Sequence, residues 1–328
     1  MSLQLSNRIH WIDYAKGIGI LLVVVGHVCR GLTASFILNP AQAQFIDQWI
    51  YAFHISLFFF LSGLLTWRFA SKSLKDLFLN KLQTIVYPYF LWSIVQEVLI
   101  SSASRYTNSS ADLTNLWRII YEPVLIFWFL YTIFVITMIY EFAHKLKLSP
   151  IQFLCFSLFL YCLHLLGSIS LPWTVPDRVF FYTIYFAIGV IIGNSNLLYK
   201  LNQASTTVGL CVTTAGFLLI TVAVWLKLTE NQLLVPLIAI IGISAVIALS
   251  TLLERFKFAN FVMLWGSLSL QIYVVHTIVT SGTRITIQKI FGITDPFPHI
   301  LLGTILGIYV PIAICKFQYL FTLRPRKI

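Results

Sequence analysis

A chain of 328 residues of which 59% are hydrophobic and only 10% are charged lacks the polar surface of a soluble globular protein, which carries roughly 25% charged residues. Its net charge of +11 does not indicate nucleic-acid binding, because the basic residues form short clusters between apolar runs without interleaved aromatic side chains. These features predict an all-α integral membrane protein, with a single domain over residues 1–328 and no nucleic-acid partner.

Ten apolar stretches follow one another along the chain, each close to the ~20 residues that a helix needs to cross the hydrocarbon core. They cover residues 17–38, 48–67, 82–100, 124–143, 150–168, 179–194, 206–226, 233–252, 261–281 and 299–320. We therefore predict a polytopic transmembrane helix bundle of about 10 spans. The first stretch is too long for the apolar region of a signal peptide and no small-residue cleavage site follows it, so we expect it to remain as a span.

The distribution of lysine and arginine predicts the orientation of the bundle. With the N-terminus in the cytoplasm, fifteen basic residues fall on the inner side and seven on the outer side; the outer ones are Arg30, Arg105, Arg118, Arg178, Lys227, Arg284 and Lys289. Cytoplasmic loops carry the excess of basic residues in membrane proteins. An even number of spans agrees with this bias, and both the N- and C-termini are predicted to be cytoplasmic.

His27 is the strongest functional candidate among the polar residues inside apolar stretches. It lies ten residues into the first stretch, which is roughly 15 Å deep and near the middle of the bilayer. The run from Gly19 to Gly26 offers it no side-chain partner, and ionisable residues at this depth are costly enough to suggest function. The alternative is a histidine that bonds to a neighbouring helix for structural reasons alone.

Lys16 precedes His27 by eleven positions, which is three helical turns plus ~20°, so both side chains project from one face of the helix. They are separated by roughly 16 Å along the axis, which suits a long ligand that enters from the cytoplasm with its phosphates near Lys16. Lys16 is otherwise an ordinary flank of the span. Asp13 lies one turn earlier, where an ion pair with Lys16 or the helix dipole explains it adequately.

Two further histidines, His54 and His276, lie in the predicted outer half of the membrane, so three histidines from three helices could converge there. We do not expect a metal, because no histidine pair has ligand spacing and the five cysteines form no CxxC pair. Trp128 and Tyr273 lie deep enough in their stretches to wall a pocket, and core packing is the alternative explanation for both.

Taken in order, these residues resemble the acyltransferase-3 family of integral membrane O-acyltransferases. The segment from Lys16 to His27 is similar to the family's basic residue, ten-residue gap and histidine, and the segment FHISLFFFLSG at 53–63 resembles its "FHMPLFFFLSG" stretch. Further elements follow in the expected order, namely Lys81 to Pro88 with Trp92, Trp128-Phe129-Leu130, Tyr185-Phe186 with Gly189, and Ser269 to His276.

One departure from the family's usual pattern concerns Lys16, where the family often has arginine. Lysine is known there in the branch that resembles fucose-4-O-acetylases and related polysaccharide-modifying proteins. The guanidinium of arginine can bind a phosphate through two parallel hydrogen bonds, whereas the ammonium of lysine acts as a point charge. Anion binding therefore stays possible with lysine.

The resemblance implies an enzyme of the cell (inner) membrane that transfers an acyl group, typically acetyl from acetyl-CoA, to a hydroxyl of a cell-envelope glycan or its lipid-linked precursor. We expect acyl-CoA, the glycan and membrane lipid as partners. His27 would act as the general base, with Lys16 and Asp13 beside it. The residues expected to hold CoA are Lys16, Arg68 and Lys81, and those expected to hold substrate are His54, Ser62, Trp128, Tyr273 and His276.

Two other functions fit the same residues. Members that look like this family have been given transport roles, so a polysaccharide exporter, a flippase or a small-molecule transporter is the main alternative. A structural or assembly subunit is a third possibility, which does not explain the spacing of Lys16 and His27. The acceptor sugar and the oligomeric state are not predicted.

Overall fold

The structure is a computed structural model that describes residues 9–69, 72–102, 113–167, 173–195, 197 and 204–323. The regular secondary structure in these ranges is helical, without a strand. The prediction of an all-α polytopic helix bundle is therefore confirmed. Residues 103–112 between the third and fourth predicted stretches, residues 168–172 at the end of the fifth stretch and before the sixth, and the basic tail from Arg324 lie outside the described residues.

Long α-helices joined by short links make up the described chain. They are α1 His10–Ala34, α2 Pro40–Tyr51, α3 His54–Leu64, α4 Leu74–Lys81, α5 Tyr87–Ser102, α6 Trp128–Lys145, α7 Pro150–Leu165, α8 Val175–Gly193, α9 Thr206–Trp225, α10 Val235–Phe256, α11 Asn260–Ser267, α12 Ser269–Ile285 and α13 Pro296–Ile314. Shorter helical turns lie at Thr66–Phe69, Leu82–Val86, Leu113–Ile120, Leu125–Phe127, Leu228–Glu230, Thr286–Ile290 and Gln318–Leu320.

Eight helical stretches of the described chain are long and apolar enough to cross a membrane. A ninth results if α11 and the segment Ser269–Ile290, which meet at a bend of 86°, count as one span. Helix α7 is apolar but shorter than these. Each of the ten predicted stretches overlaps one of these segments, whereas the number of spans and the side of the termini stay predictions.

The first helix occupies the centre of the bundle. It packs against α2, α3, α10, α11, α12 and α13. Buried residues lie on several faces of α1, as expected for a helix that has neighbouring helices on more than one side. The side chains of α1 are therefore presented to several neighbouring helices at once.

Helices α3 and α8 pack with their backbones in direct contact. A Cβ atom built at Gly63 would lie 2.0 Å from the carbonyl oxygen of Phe186, and one built at Gly189 would lie 2.1 Å from the carbonyl oxygen of Phe60. No side chain fits at such separations, so glycine is required at both positions. The contact fixes the position of α3 relative to α8.

Candidate active site

A cavity of about 1060 Å³ runs beside α1 through the helix bundle. On α1 its lining residues extend from Lys16 to Ala34, which is about 27 Å along the helix axis. The hydrocarbon core of a bilayer is about 30 Å thick, so the cavity extends over most of the depth that α1 can cross. Helices α3, α5, α6, α8 and α12 supply most of its other walls.

The cavity brings together many of the residues that the sequence singles out. Those that line it are Lys16, His27, His54, Ser62, Trp128 and Tyr273. His276 is fully buried immediately beside the ring of His27. Asp13, Arg68 and Lys81 are not among the lining residues.

His27 and His276 form a close pair of imidazole rings. Their centroids are 5.2 Å apart and the ring planes are inclined by 53°. The Nδ1 atom of His276 lies 2.7 Å from the carbonyl oxygen of Tyr273 and 3.1 Å from that of Ile272. Because carbonyl oxygens only accept, this nitrogen must carry a hydrogen, and in the neutral ring Nε2 is then an acceptor. That Nε2 atom is buried without a hydrogen-bond partner among the described residues.

His54 is held in the cavity wall by its own helix. The side chain is 1% exposed, and its Nδ1 atom lies 2.7 Å from the carbonyl oxygen of Ile50. The ring of Tyr51 packs edge-on against that of His54, with centroids 4.4 Å apart. On the Tyr51 ring rests the guanidinium of Arg30, 3.5 Å from the centroid, and Arg30 is in turn paired with Asp47. His54 is thereby fixed in position and has Nε2 available as an acceptor.

Two more of the predicted substrate residues, Ser62 and Tyr273, are anchored by backbone carbonyl groups. Ser62 donates from Oγ to the carbonyl oxygen of Phe58 at 2.8 Å. The hydroxyl of Tyr273 donates to the carbonyl oxygen of Ile126. Their oxygen lone pairs can still accept a hydrogen bond from a ligand. Ser62 and Tyr273 therefore add hydrogen-bond acceptors to the cavity wall.

Only one of the three residues that were expected to hold CoA lines the cavity. Lys16 does so, whereas Arg68 is exposed and lies over the ring of Trp67 at 5.3 Å. Lys81 is attracted by Glu141 and repelled by Lys16, and its Nζ atom lies 5.0 Å from the centroid of the Phe69 ring. Lys81 can add positive potential near Lys16. Arg68 does not contribute to the cavity wall.

Three arginines of the cavity wall were not singled out by the sequence as site residues. Arg30, Arg178 and Arg284 line the cavity, and the sequence places them only among the basic residues of the outer side. A basic residue on the side that usually has few of them is the signal that could have marked them. Among the described residues, no group of three or more histidine, cysteine, aspartate or glutamate side chains could hold a metal ion.

Comparison with known proteins supplies the class of the molecule. The sequence model of a family described as an acyltransferase domain matches residues 9–316. Together with the apolar helices, this match makes the chain a multi-pass membrane acyltransferase. The chain belongs to the acyltransferase-3 family. Comparison with curated proteins and with solved structures found no match.

Proposed function

We propose that this protein is an O-acyltransferase of the cell (inner) membrane, which moves an acetyl group from acetyl-CoA to a hydroxyl of a cell-envelope glycan or its lipid-linked precursor. The observation that carries the proposal is one cavity that is lined by both Lys16 and His27. An acyl-CoA is a long molecule with phosphates at one end and the thioester at the other. The roughly 16 Å between the two residues suits such a donor.

The chemistry that we assign to His27 is general-base catalysis. A sugar hydroxyl becomes a good nucleophile when a base takes its proton during attack, and neutral imidazole is suited to this near neutral pH. The hydroxyl oxygen would attack the thioester carbonyl carbon, forming the C–O bond while its proton passes to His27. Collapse of the tetrahedral intermediate would break the C–S bond, and His27 would return the proton to the CoA sulfur.

His54 and His276 would support this reaction in different ways. Each neutral ring has its Nδ1 hydrogen engaged by a backbone carbonyl, so only Nε2 is available and it accepts. His54 therefore suits orientation of a sugar hydroxyl in the cavity. His276 suits orientation of the His27 ring from behind, which makes it a positioning residue.

Transport is the second candidate, and the same cavity favours it. A path that is lined by polar side chains within membrane-spanning helices is also what an exporter or flippase needs. The two functions differ in their products: an acyltransferase forms an ester, and a transporter moves an unchanged solute.

The test is a transfer assay with purified protein in nanodiscs. We would supply acetyl-CoA that is radiolabelled in the acetyl group, together with an extract of envelope glycans. We would then measure how much label the glycan carries and how much of that label alkaline hydroxylamine, which cleaves esters, releases from it. We expect an ester-linked label that depends on the protein. If the folded protein transfers no label but glycan moves into vesicles in whose membrane the protein is reconstituted, the proposed acyltransferase activity is wrong and transport replaces it.

A further inference from the structure

The charges of the cavity wall are all of one sign. Its cationic lining residues are Lys16, Arg30, Arg178 and Arg284, and no aspartate or glutamate is among the lining residues of the described chain. A cleft with walls of one charge concentrates ligands of the opposite charge. Anionic ligands are therefore expected in the cavity. The four cationic side chains fall into two groups by position.

The three arginines lie at the end of the cavity away from Lys16. Arg284 donates to Ser35 at 2.5 Å, and Ser35 follows the end of α1, about 12 Å beyond His27 along the helix axis. Arg284 lies a similar ~12 Å beyond His276 on α12. The two helices therefore run side by side in the same direction, and Lys16 lies on the opposite side of the histidine pair.

Arg284 is a buried cation without a carboxylate among its described partners. It is 8% exposed, and its hydrogen bonds go to two neutral side chains, Ser35 and, at 3.4 Å, Gln288. Burying a guanidinium is costly unless an anion compensates it. An anionic ligand in the cavity would provide that compensation.

Arg178 has an unused donor. Its Nη1 atom is buried without a hydrogen-bond partner among the described residues, and its guanidinium lies 4.5 Å from the ring centroid of Trp128. The neighbouring Asp177 attracts Arg178 electrostatically, but its carboxylate is paired with His164 at 2.6 Å. Arg178 also shares an electrostatic neighbour, Tyr182, with Arg30, which places it near the arginine end of α1.

We propose that Arg178 and Arg284 form a subsite for an anionic group, a phosphate or a carboxylate, of the acyl acceptor. This inference rests on the proposed function and narrows its substrate class to acidic sugars or phosphate-bearing sugars. Arg30 contributes less, because Asp47 already neutralises it. The donor phosphates are not expected at these arginines. With the thioester at His27 and the phosphates at Lys16, the donor lies on the side of the histidine pair away from the arginines.

Binding can be tested without catalysis in the His27→Ala protein. In nanodiscs of phosphatidylcholine alone, calorimetry would compare methyl glucuronide with methyl glucoside and glucose 1-phosphate with glucose. We expect at least one anionic probe to bind about tenfold tighter than its neutral partner. Adding Arg178→Gln or Arg284→Gln should reduce that ratio to about twofold, and Arg284→Lys should retain part of it. Equal binding of both members in both pairs would overturn the proposal.

A matched control separates a charge effect from a structural one. Arg118 is an exposed arginine of the predicted outer side, paired with Glu122, and Arg118→Gln should leave the binding ratio unchanged. If the Arg178 and Arg284 variants weaken the neutral and anionic probes equally, the residues only support the fold and the subsite does not exist. Unfolding temperatures of all variants would be measured in the same nanodiscs.

Two further measurements identify the source of the anion and separate this inference from the proposed function. Nanodiscs that contain phosphatidylglycerol should compete with the soluble probes if a lipid headgroup supplies the anion, and should not compete if the sugar supplies it. In the transfer assay, equal kcat/KM for neutral and anionic acceptors would contradict the proposed subsite but not the proposed acyltransferase activity. Arginine-dependent anion binding without any transfer would overturn the acyltransferase and leave the subsite intact.

Discussion

The ring of His27 on α1 lies 5.2 Å from the ring of His276 on α12, so a histidine that faces the cavity is backed by one that is fully buried. The buried partner is fixed through Nδ1 by the backbone of its own helix. The two side chains are of the same type but have different environments. In the function that we propose, His27 would exchange protons with the substrates and His276 would hold the His27 ring in position.

Replacing His27 by alanine should reduce acyl transfer by about 10²- to 10⁴-fold, because the acceptor hydroxyl would lose its base. The measurement is the initial rate of labelled ester formation at saturating acetyl-CoA. His10→Ala, which changes an exposed histidine of the same helix, is the matched control and should keep the wild-type rate. A folded His27→Ala protein with wild-type activity would exclude His27 as the base.

Two substitutions at His276 separate positioning from packing. The amide of glutamine can place an acceptor near the position of Nε2, whereas that of asparagine replaces Nδ1. We expect His276→Asn to lower kcat by about 10- to 100-fold through misplacement of His27, His276→Gln to keep more of the rate, and KM for acetyl-CoA to change little in both. Equal losses in the two variants, or losses that appear in KM alone, would contradict this role.

Replacing Lys16 by glutamine should raise KM for acetyl-CoA by about tenfold, because a charge-assisted contact with phosphate is lost. S-Acetylpantetheine carries the thioester without the phosphates, so its KM should not change. Lys16→Arg should restore binding of acetyl-CoA, since arginine also binds phosphate. Lys147→Gln, at an exposed lysine outside the cavity wall, is the control. A KM increase of the same size for both donors would argue against phosphate binding.

Gly63→Ala should destabilise the protein by about 1–3 kcal/mol, because the new methyl group overpacks the contact with the backbone of α8. Gly282→Ala is the counterpart in α12, where an added Cβ meets no atom within 4 Å; it should be neutral or stabilise by roughly 0.5–1 kcal/mol. Thermal unfolding in detergent measures both. A lower unfolding temperature for Gly282→Ala than for Gly63→Ala would contradict the packing of α3 on α8.

Local pattern was sufficient to predict the helical class and the common face of Lys16 and His27. Both follow from the hydropathy and periodicity of short segments, which depend little on the rest of the fold. The structure places both residues on the same cavity. Their catalytic and binding roles stay predictions.

The arginine end of the cavity could not be predicted in the same way. Arg30, Arg178 and Arg284 come from three distant parts of the chain, and a count of basic residues treats each as the flank of a span. His299 shows the same limitation: it is the first residue of the last apolar stretch, a position that does not by itself predict burial, yet it is 2% exposed and its Nε2 atom lies 2.9 Å from the carbonyl oxygen of Ile293. Such environments depend on how helices pack, which a single sequence does not encode locally.

The direct contact of α3 with α8 has a consequence for regioselectivity. Helix α3 carries His54 and helix α8 carries Arg178, and glycines at 63 and 189 leave no slack between the two backbones. The distance from Arg178 to His54, which we propose orients the acceptor hydroxyl, would then be a fixed length. An acceptor would be modified at whichever hydroxyl lies that far from its charge, so different sugars with the same spacing would be equivalent substrates, and moving the charge by one ring position would move the ester.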